Sequence, residues 1–161
     1  SGAFASQYGN ALSGIFDMKL RKGNDEKQEY SFSLGVLGLD FTAEGPISKK
    51  NNSSYLVNYR YSTLSLLDDI DLVDFGGVPR YQDLSFKFYF PTEKAGIFTL
   101  FGLGGASKIG FVTTDEEDDE IVLEDGSQYS NLVVTGLKHF IPLGNNTYLK
   151  SIVSYGFNGS K

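Results

Sequence analysis

Tyr81-Gln82-Asp83-Leu84-Ser85-Phe86-Lys87-Phe88-Tyr89-Phe90 alternates cleanly along its length. Leu84, Phe86, Phe88 and Phe90 share one parity, and Asp83, Ser85 and Lys87 the other. Side chains on a strand point alternately to opposite faces, so the stretch predicts a β-strand with one apolar and one polar face. Gly76-Gly77 and Pro79 precede it, and Pro91-Thr92-Glu93-Lys94-Ala95-Gly96 follows. Both flanks are turn chemistry.

The same pattern extends in both directions. Upstream, Ser54 to Leu66 places Tyr55, Val57, Tyr59 and Tyr61 on one side and Asn58, Arg60 and Ser62 on the other. Gly45-Pro46 to Asn52 reads as the turn before it. Glu29 to Glu44 alternates with one parity slip: Tyr30, Phe32, Leu34 and Val36 share a phase, and Leu37, Leu39 and Phe41 take the other. A slip means a tight reversal or a bulge, so this stretch is two strands joined near Gly35–Gly38 or one long bulged strand. Ile15 to Arg21 reads as an earlier strand, and Lys22 to Lys27 as a polar break. Downstream come a glycine-rich strand over Ile97–Val112, an acidic loop over Thr113–Ser127, a strand over Gln128–Ile141, a turn over Pro142–Asn146 and a last strand over Thr147–Phe157.

The fold class that follows is all-β, an antiparallel up-and-down meander. Short turns centred near Asn51, Lys94 and Asn145 alternate with long acidic loops centred near Asp71 and Glu120. They therefore lie at opposite ends of the sheet. This asymmetry, with strands of roughly ten residues, matches a transmembrane barrel with short periplasmic turns and long external loops. A soluble meander barrel with its aromatic face turned inward also fits the alternation.

The 161 residues include 13 Phe, 10 Tyr and 19 Gly but no Cys or Trp and a single His. Without Cys there are no disulfides and no thiolate metal sites. The net charge of −6 comes from two clusters, Asp68, Asp69, Asp71 and Asp74, and Asp115 to Glu120 with Glu124 and Asp125. The rest of the chain is net basic. Acidic loop tips repel phosphate and argue against nucleic acid as a partner. Neither acidic cluster has EF-hand spacing, so both read as solvated loops rather than metal sites. His139 stands near a strand end with no nucleophile at a catalytic spacing, so no catalytic residue and no cofactor is expected, and the chain does not read as an enzyme. Phe101-Gly102-Leu103-Gly104-Gly105 has no following helix and is not a phosphate loop.

Ser6 to Asn24 carries a family resemblance. Tyr8-Gly9, Ala11, Ser13-Gly14 and Ile15 to Leu20 resemble the end of the plug domain of a TonB-dependent outer-membrane receptor. Gly38 to Ile47 is similar to the family's descent to a first periplasmic turn, Ser53 to Ser62 to the next rising strand, and Tyr81 to Gly96 to the following hairpin. The variety most resembled is that of Bacteroidetes-type bacteria, with a carboxypeptidase-regulatory-like domain before the plug. The resemblance implies a 22-stranded barrel around a plug. It makes residues 1–24 the end of the plug and residues 25–161 about seven early barrel strands, a fragment of a longer protein. It also implies a bacterial outer-membrane location and active uptake of a scarce nutrient, energised by TonB through the missing N-terminal part.

On that reading Tyr30, Phe32, Tyr55, Val57, Tyr59, Phe86, Phe88, Val153 and Tyr155 meet outer-membrane lipid. Asn58, Arg60, Ser62, Asp83, Ser85 and Lys87 face the lumen, with Arg60 and Lys87 paired to a plug carboxylate or a neighbouring strand, or simply wet. Asp69, Asp71, Asp74, Asp115, Glu116 and Glu117 lie in external loops open to the nutrient or to a surface lipoprotein. The alternatives are a soluble β-barrel binding a small apolar ligand and a small complete outer-membrane barrel.

Overall fold

The computed structural model describes residues 14, 15, 17–35, 38–63, 79–114 and 122–161. Seven strands make one sheet: β1 (Glu29–Leu34), β2 (Leu39–Ser48), β3 (Ser53–Tyr61), β4 (Arg80–Pro91), β5 (Ile97–Thr114), β6 (Val122–Pro142) and β7 (Tyr148–Ser160). They lie side by side in chain order, every neighbouring pair antiparallel, and the sheet is open, with β1 and β7 at its edges.

The register turns sequence alternation into two faces. One cross-strand row runs Phe32, Phe41, Tyr59, Leu84, Gly104, Val133, Phe157. The row beside it runs Ser33, Asp40, Arg60, Asp83, Gly105, Leu132, Asn158. Because directly opposed residues share a face, the parity set by Leu84–Phe90 carries across all seven strands, although the second face is polar on β2–β4 only and bears Phe101, Leu103, Val134, Phe140 and Ile152 on β5–β7. Among the described residues nothing covers the apolar face: Phe32 is 67% exposed, Val153 76% and Tyr155 65%. Leu56, on the polar face, is the one buried large hydrophobic side chain among the described residues. Glycines on the sheet are covered from the next strand. The Phe86 ring lies over Gly102 on the apolar face, and the Phe101 ring over Gly136 on the polar face.

Glu29 to Glu44 resolves into two strands, β1 and β2, with Gly35 N–H donating to the Gly38 carbonyl across the link (2.9 Å). Several boundaries differ from the expectations; β3, for one, ends at Tyr61, short of the expected Leu66. Ile15–Arg21 is not a strand; its described residues lie outside the ladder, because side chains of the sheet take up its backbone and charges instead. Gly45-Pro46 belongs to β2 rather than to a turn. The register shifts between Pro46 and Ser48, and a bulge tolerates the missing proline N–H. The turn itself is 49–52, with Asn52 in the left-handed region at φ 55°. Finally, β5 and β6 run past the expected loop boundary to Thr114 and from Val122, so Glu124 and Asp125 are strand residues. Beyond Lys108 and Ser130 these strands lose the β4 and β7 ladders and pair with each other.

The short turns at 92–96 and 143–147 are closed by backbone bonds, Thr92 N–H to Gly96 O (2.8 Å) and Leu143 N–H to Thr147 O (2.8 Å). Gly96 holds φ +79°, and a β-carbon there would strike the Phe140 carbonyl of β6. Gly96→Ala should therefore destabilise the sheet by about 1–3 kcal/mol through backbone strain and the clash. Equilibrium unfolding of the full chain in detergent micelles, followed by circular dichroism, checks this; an unchanged midpoint would contradict the turn geometry.

Candidate functional site: a basic segment on the polar face

The polar face is where this molecule gathers charge, and the segment before β1 is laid on it. Arg21 is bonded to Glu44 of β2 through both terminal nitrogens, Nη1 to Oε2 at 2.6 Å and Nη2 to Oε1 at 2.5 Å. The backbone N–H of Asn24 donates to the same carboxylate at 2.8 Å. Glu44 is buried beneath the segment, so one carboxylate there accepts three charge-assisted bonds. The hydrogen bond to Glu44 pushes the Arg21 guanidinium still further up from its already high range, and the pair stays ionised near neutrality.

Further contacts fix the path. Lys87 of β4 donates its ammonium to the Leu20 carbonyl at 2.5 Å. Lys22 stands 4.8 Å over the Tyr89 ring and pairs with Asp25 at 2.7 Å. That hydrogen bond holds the Asp25 carboxyl below its usual range. Asn24 bonds Glu29 at 2.7 Å and caps its own turn by accepting from the Glu26 and Lys27 N–H groups. Gly23 lies so close to the Tyr55 carbonyl that a β-carbon would overlap it. Glycine is required here because backbone meets backbone.

A second cluster lies farther along the same face. Asn58 donates to Asp40 and to the Thr42 hydroxyl, each at 2.9 Å. Arg60 Nε and Nη2 both reach Asp83 Oδ2 at 2.8 Å, and the guanidinium stands 5.5 Å over the Tyr81 ring. The Arg60–Asp83 pair is half exposed and holds neighbouring strands in register rather than adding much stability.

Asn58, Arg60 and Lys87 thus share the polar face, and the structure gives each a partner. Arg60 takes a neighbouring strand, and Lys87 takes the N-terminal segment through a backbone carbonyl rather than a carboxylate. Gly14 is exposed, with open space where a side chain would sit. Tyr8, Gly9, Asp69, Asp71, Asp74, Asp115, Glu116 and Glu117 lie outside the described residues. The expectations missed Glu44 and Arg21. They are 23 positions apart, and nothing in local spacing marks such a pair. His139 stacks on Phe98, ring centroids 4.4 Å apart, and its Nε2 lies 2.6 Å from the Ala95 carbonyl, a turn-closing contact. Among the described residues no group of three or more His, Asp or Glu side chains is arranged to hold a metal ion.

Glu44→Ala removes all three bonds and should loosen the segment by about 1 kcal/mol, given how exposed Arg21 remains. Trypsin cleavage after Arg21 and Lys22 should then accelerate about fivefold, while Asp25→Ala changes it less than about twofold. Equal rates in wild type and Glu44→Ala would show that the carboxylate is not the anchor. In comparisons with protein-family models, curated proteins and solved structures, nothing matches the chain.

Proposed function

We propose that this chain is part of a TonB-dependent outer-membrane receptor, with residues 1–24 the end of the plug and residues 25–161 an arc of the barrel wall. One observation carries the reading: among the described residues, the one segment packed on the sheet covers the polar face, and none covers the apolar face. A soluble sheet protein puts its covering segment on the apolar face, because burying that area is what stabilises it. A barrel in lipid does the reverse. Its outer wall is apolar, and whatever fills its lumen meets polar side chains.

The dimensions agree. From Val133 to Ile141 the outward row of β6, Val133, Thr135, Leu137, His139 and Ile141, runs about 26 Å at about 3.3 Å per residue. Tilted as membrane strands are, it stands about 20 Å tall, near the apolar thickness of an outer-membrane barrel. In this reading Asn58, Arg60 and Lys87 face the lumen, and Tyr30, Phe32, Tyr55, Val57, Tyr59, Phe86, Phe88, Val153 and Tyr155 face lipid. The receptor imports a scarce nutrient, with TonB acting through the part of the plug that precedes these residues. The acidic loops stand outside, open to the nutrient or to a lipoprotein at the surface.

Two measurements test it. An antibody against residues 116–124, used on fractionated cells, should detect a band several times the mass of this chain in the outer membrane and should bind intact cells. A soluble band near the mass of the chain would overturn the proposal. Because the chain has no Cys, single-cysteine spin labels report each face cleanly. In proteoliposomes, labels at Leu84, Val133 and Val153 should be relaxed by oxygen, and labels at Ser85 and Ser154 by a water-soluble nickel chelate. The opposite pattern would turn the sheet inside out and favour the soluble barrel.

A further inference from the structure

The second face changes character between β4 and β5. Among the described residues the basic segment reaches only as far as β4, at Lys87 and Tyr89. Beyond it lies an apolar strip of Phe101, Leu103, Val134 and Ile152, with Ile152 51% exposed. Two cations stand at the short-turn end of this strip. Lys138 of β6 sits directly across from Ile152, and Lys150 of β7 across from Phe140. The lysines are therefore diagonal neighbours, about 7–8 Å apart at ordinary sheet spacing. Among the described residues neither has a hydrogen-bond or ion-pair partner. Lys138 also repels the Lys87 ammonium across the face. From the short turns up to Gln128, no strand position on this face of β5–β7 holds an Asp or Glu. The long acidic loops join the sheet far away. The Lys138 row crosses β4 at Tyr89, about 30 Å from Arg80, and β5 at Thr99, about 50 Å from Thr114, at about 3.3 Å per residue.

Paired cations at one end of an apolar strip complement a molecule with an anionic head and an extended apolar body. We infer that this half of the second face binds one amphipathic anion, its carboxylate or phosphate head on Lys138 and Lys150 and its body along Ile152, Phe101, Val134 and Leu103. Charge complementarity selects the occupant. A second copy of the same face would set lysine against lysine, and a neutral amphiphile leaves both ammonium groups without a counter-ion. Residues 1–16 hold no Asp or Glu, and Asp17 pairs with Lys19, so the stretch before Arg21 supplies no spare carboxylate. An anion between the two lysines makes charge-assisted bonds to both. Along β6 the strip runs from Lys138 to Leu132, about 20 Å, which is room for an extended acyl chain. The inference concerns the second face alone and does not rest on the receptor reading, so its failure leaves that reading untouched.

The test irradiates the full chain, in dodecylmaltoside micelles, with a twelve-carbon fatty acid carrying a diazirine near its tail. Crosslinks are mapped to single residues by mass spectrometry and should fall on Phe101, Leu103 or Val134. Dodecanoate or dodecyl phosphate should displace the probe at concentrations about tenfold below those dodecanol needs. Whichever anion displaces better identifies the head, and either order supports the site. K138Q/K150Q should lower the crosslink yield about tenfold, and K138R/K150R, which keeps the charge, should retain most of it. K49Q/K50Q, which removes two cations from the turn 49–52 at the same end of the sheet, should change it less than about twofold. Ile152→Thr keeps the β-branch but removes apolar surface, and should lower the yield about threefold. Circular dichroism of each variant checks that the sheet is intact. Crosslinks on Leu84, Phe86 and Val133 of the apolar face instead, displacement by dodecanol as strong as by the anions, a yield that survives K138Q/K150Q, or an equal loss in K49Q/K50Q would overturn the site. Unchanged yield in Ile152→Thr would overturn the apolar seat.

Discussion

Period-two alternation, carried in one phase from Phe32 to Phe157 across six ladders with its register shifts confined to strand ends, governs the rest of this molecule. Each pairing transmits the phase of one strand to the next, so Leu84 on β4 and Phe157 on β7 share a face although two strands lie between them. The ladders hold the sheet together in place of a core, since Leu56 alone is a buried large hydrophobic among the described residues. Fully covering each exposed Leu, Phe or Val is worth about 1.5–3 kcal/mol. A face with this many such side chains therefore needs a cover, and it lacks one made of its own described residues. Under the proposed reading lipid would supply that cover without the entropy cost of ordering more chain.

The polar face is covered by different means. Its segment is held by a few discrete contacts: a doubly bonded Arg21–Glu44 pair, one lysine to a carbonyl, and one lysine over a ring. Contacts of this kind break one at a time, and water replaces the bonds they lose. An apolar covering would leave only as a block. An element that has to move while the wall stays fixed is best held this way, and in a receptor the plug is that element. The close approach of Gly23 to the Tyr55 carbonyl adds shape to the seat. Charge holds the segment in place, and backbone contact sets where it lies.

Much of the sheet was legible because its signals are local. Alternation over Tyr81–Phe90 and the spacing of turn residues around Lys94 and Asn145 predict strands and hairpins, and they are present. The errors have separate causes, and one is competition from partners distant in sequence. Ile15–Arg21 alternates like a strand, but Glu44 and Lys87 claim its guanidinium and a carbonyl, and it lies on the sheet rather than in it. Pro46 looks like a turn residue, yet a bulge excuses its missing donor. Glu124 and Asp125 look like loop, yet their backbone pairs with Thr113 and Val112 of β5. Of the site, the polar parity of Asn58, Arg60 and Lys87 was readable from alternation. Glu44 was not, because burial under a segment 23 positions away leaves no mark in spacing.

The edges carry the argument one step further. β7 presents a long open edge, 13 residues with no proline and Lys150 as its one charged side chain. β1 is only six residues long. Long, flat, apolar edges invite pairing with any available strand, and natural sheets blunt them with charge, proline or closure. Nothing in β7 blunts its edge except closure. Under the proposed reading closure comes from further strands pairing with β7 on one side and β1 on the other, which removes both edges and bends the apolar face outward all round. The same closure confines the polar face to an interior where Glu44 and Lys87 hold their segment. On that reading a single parity sets an outside that lipid can cover and an inside where a charged segment stays wet, seated and free to leave.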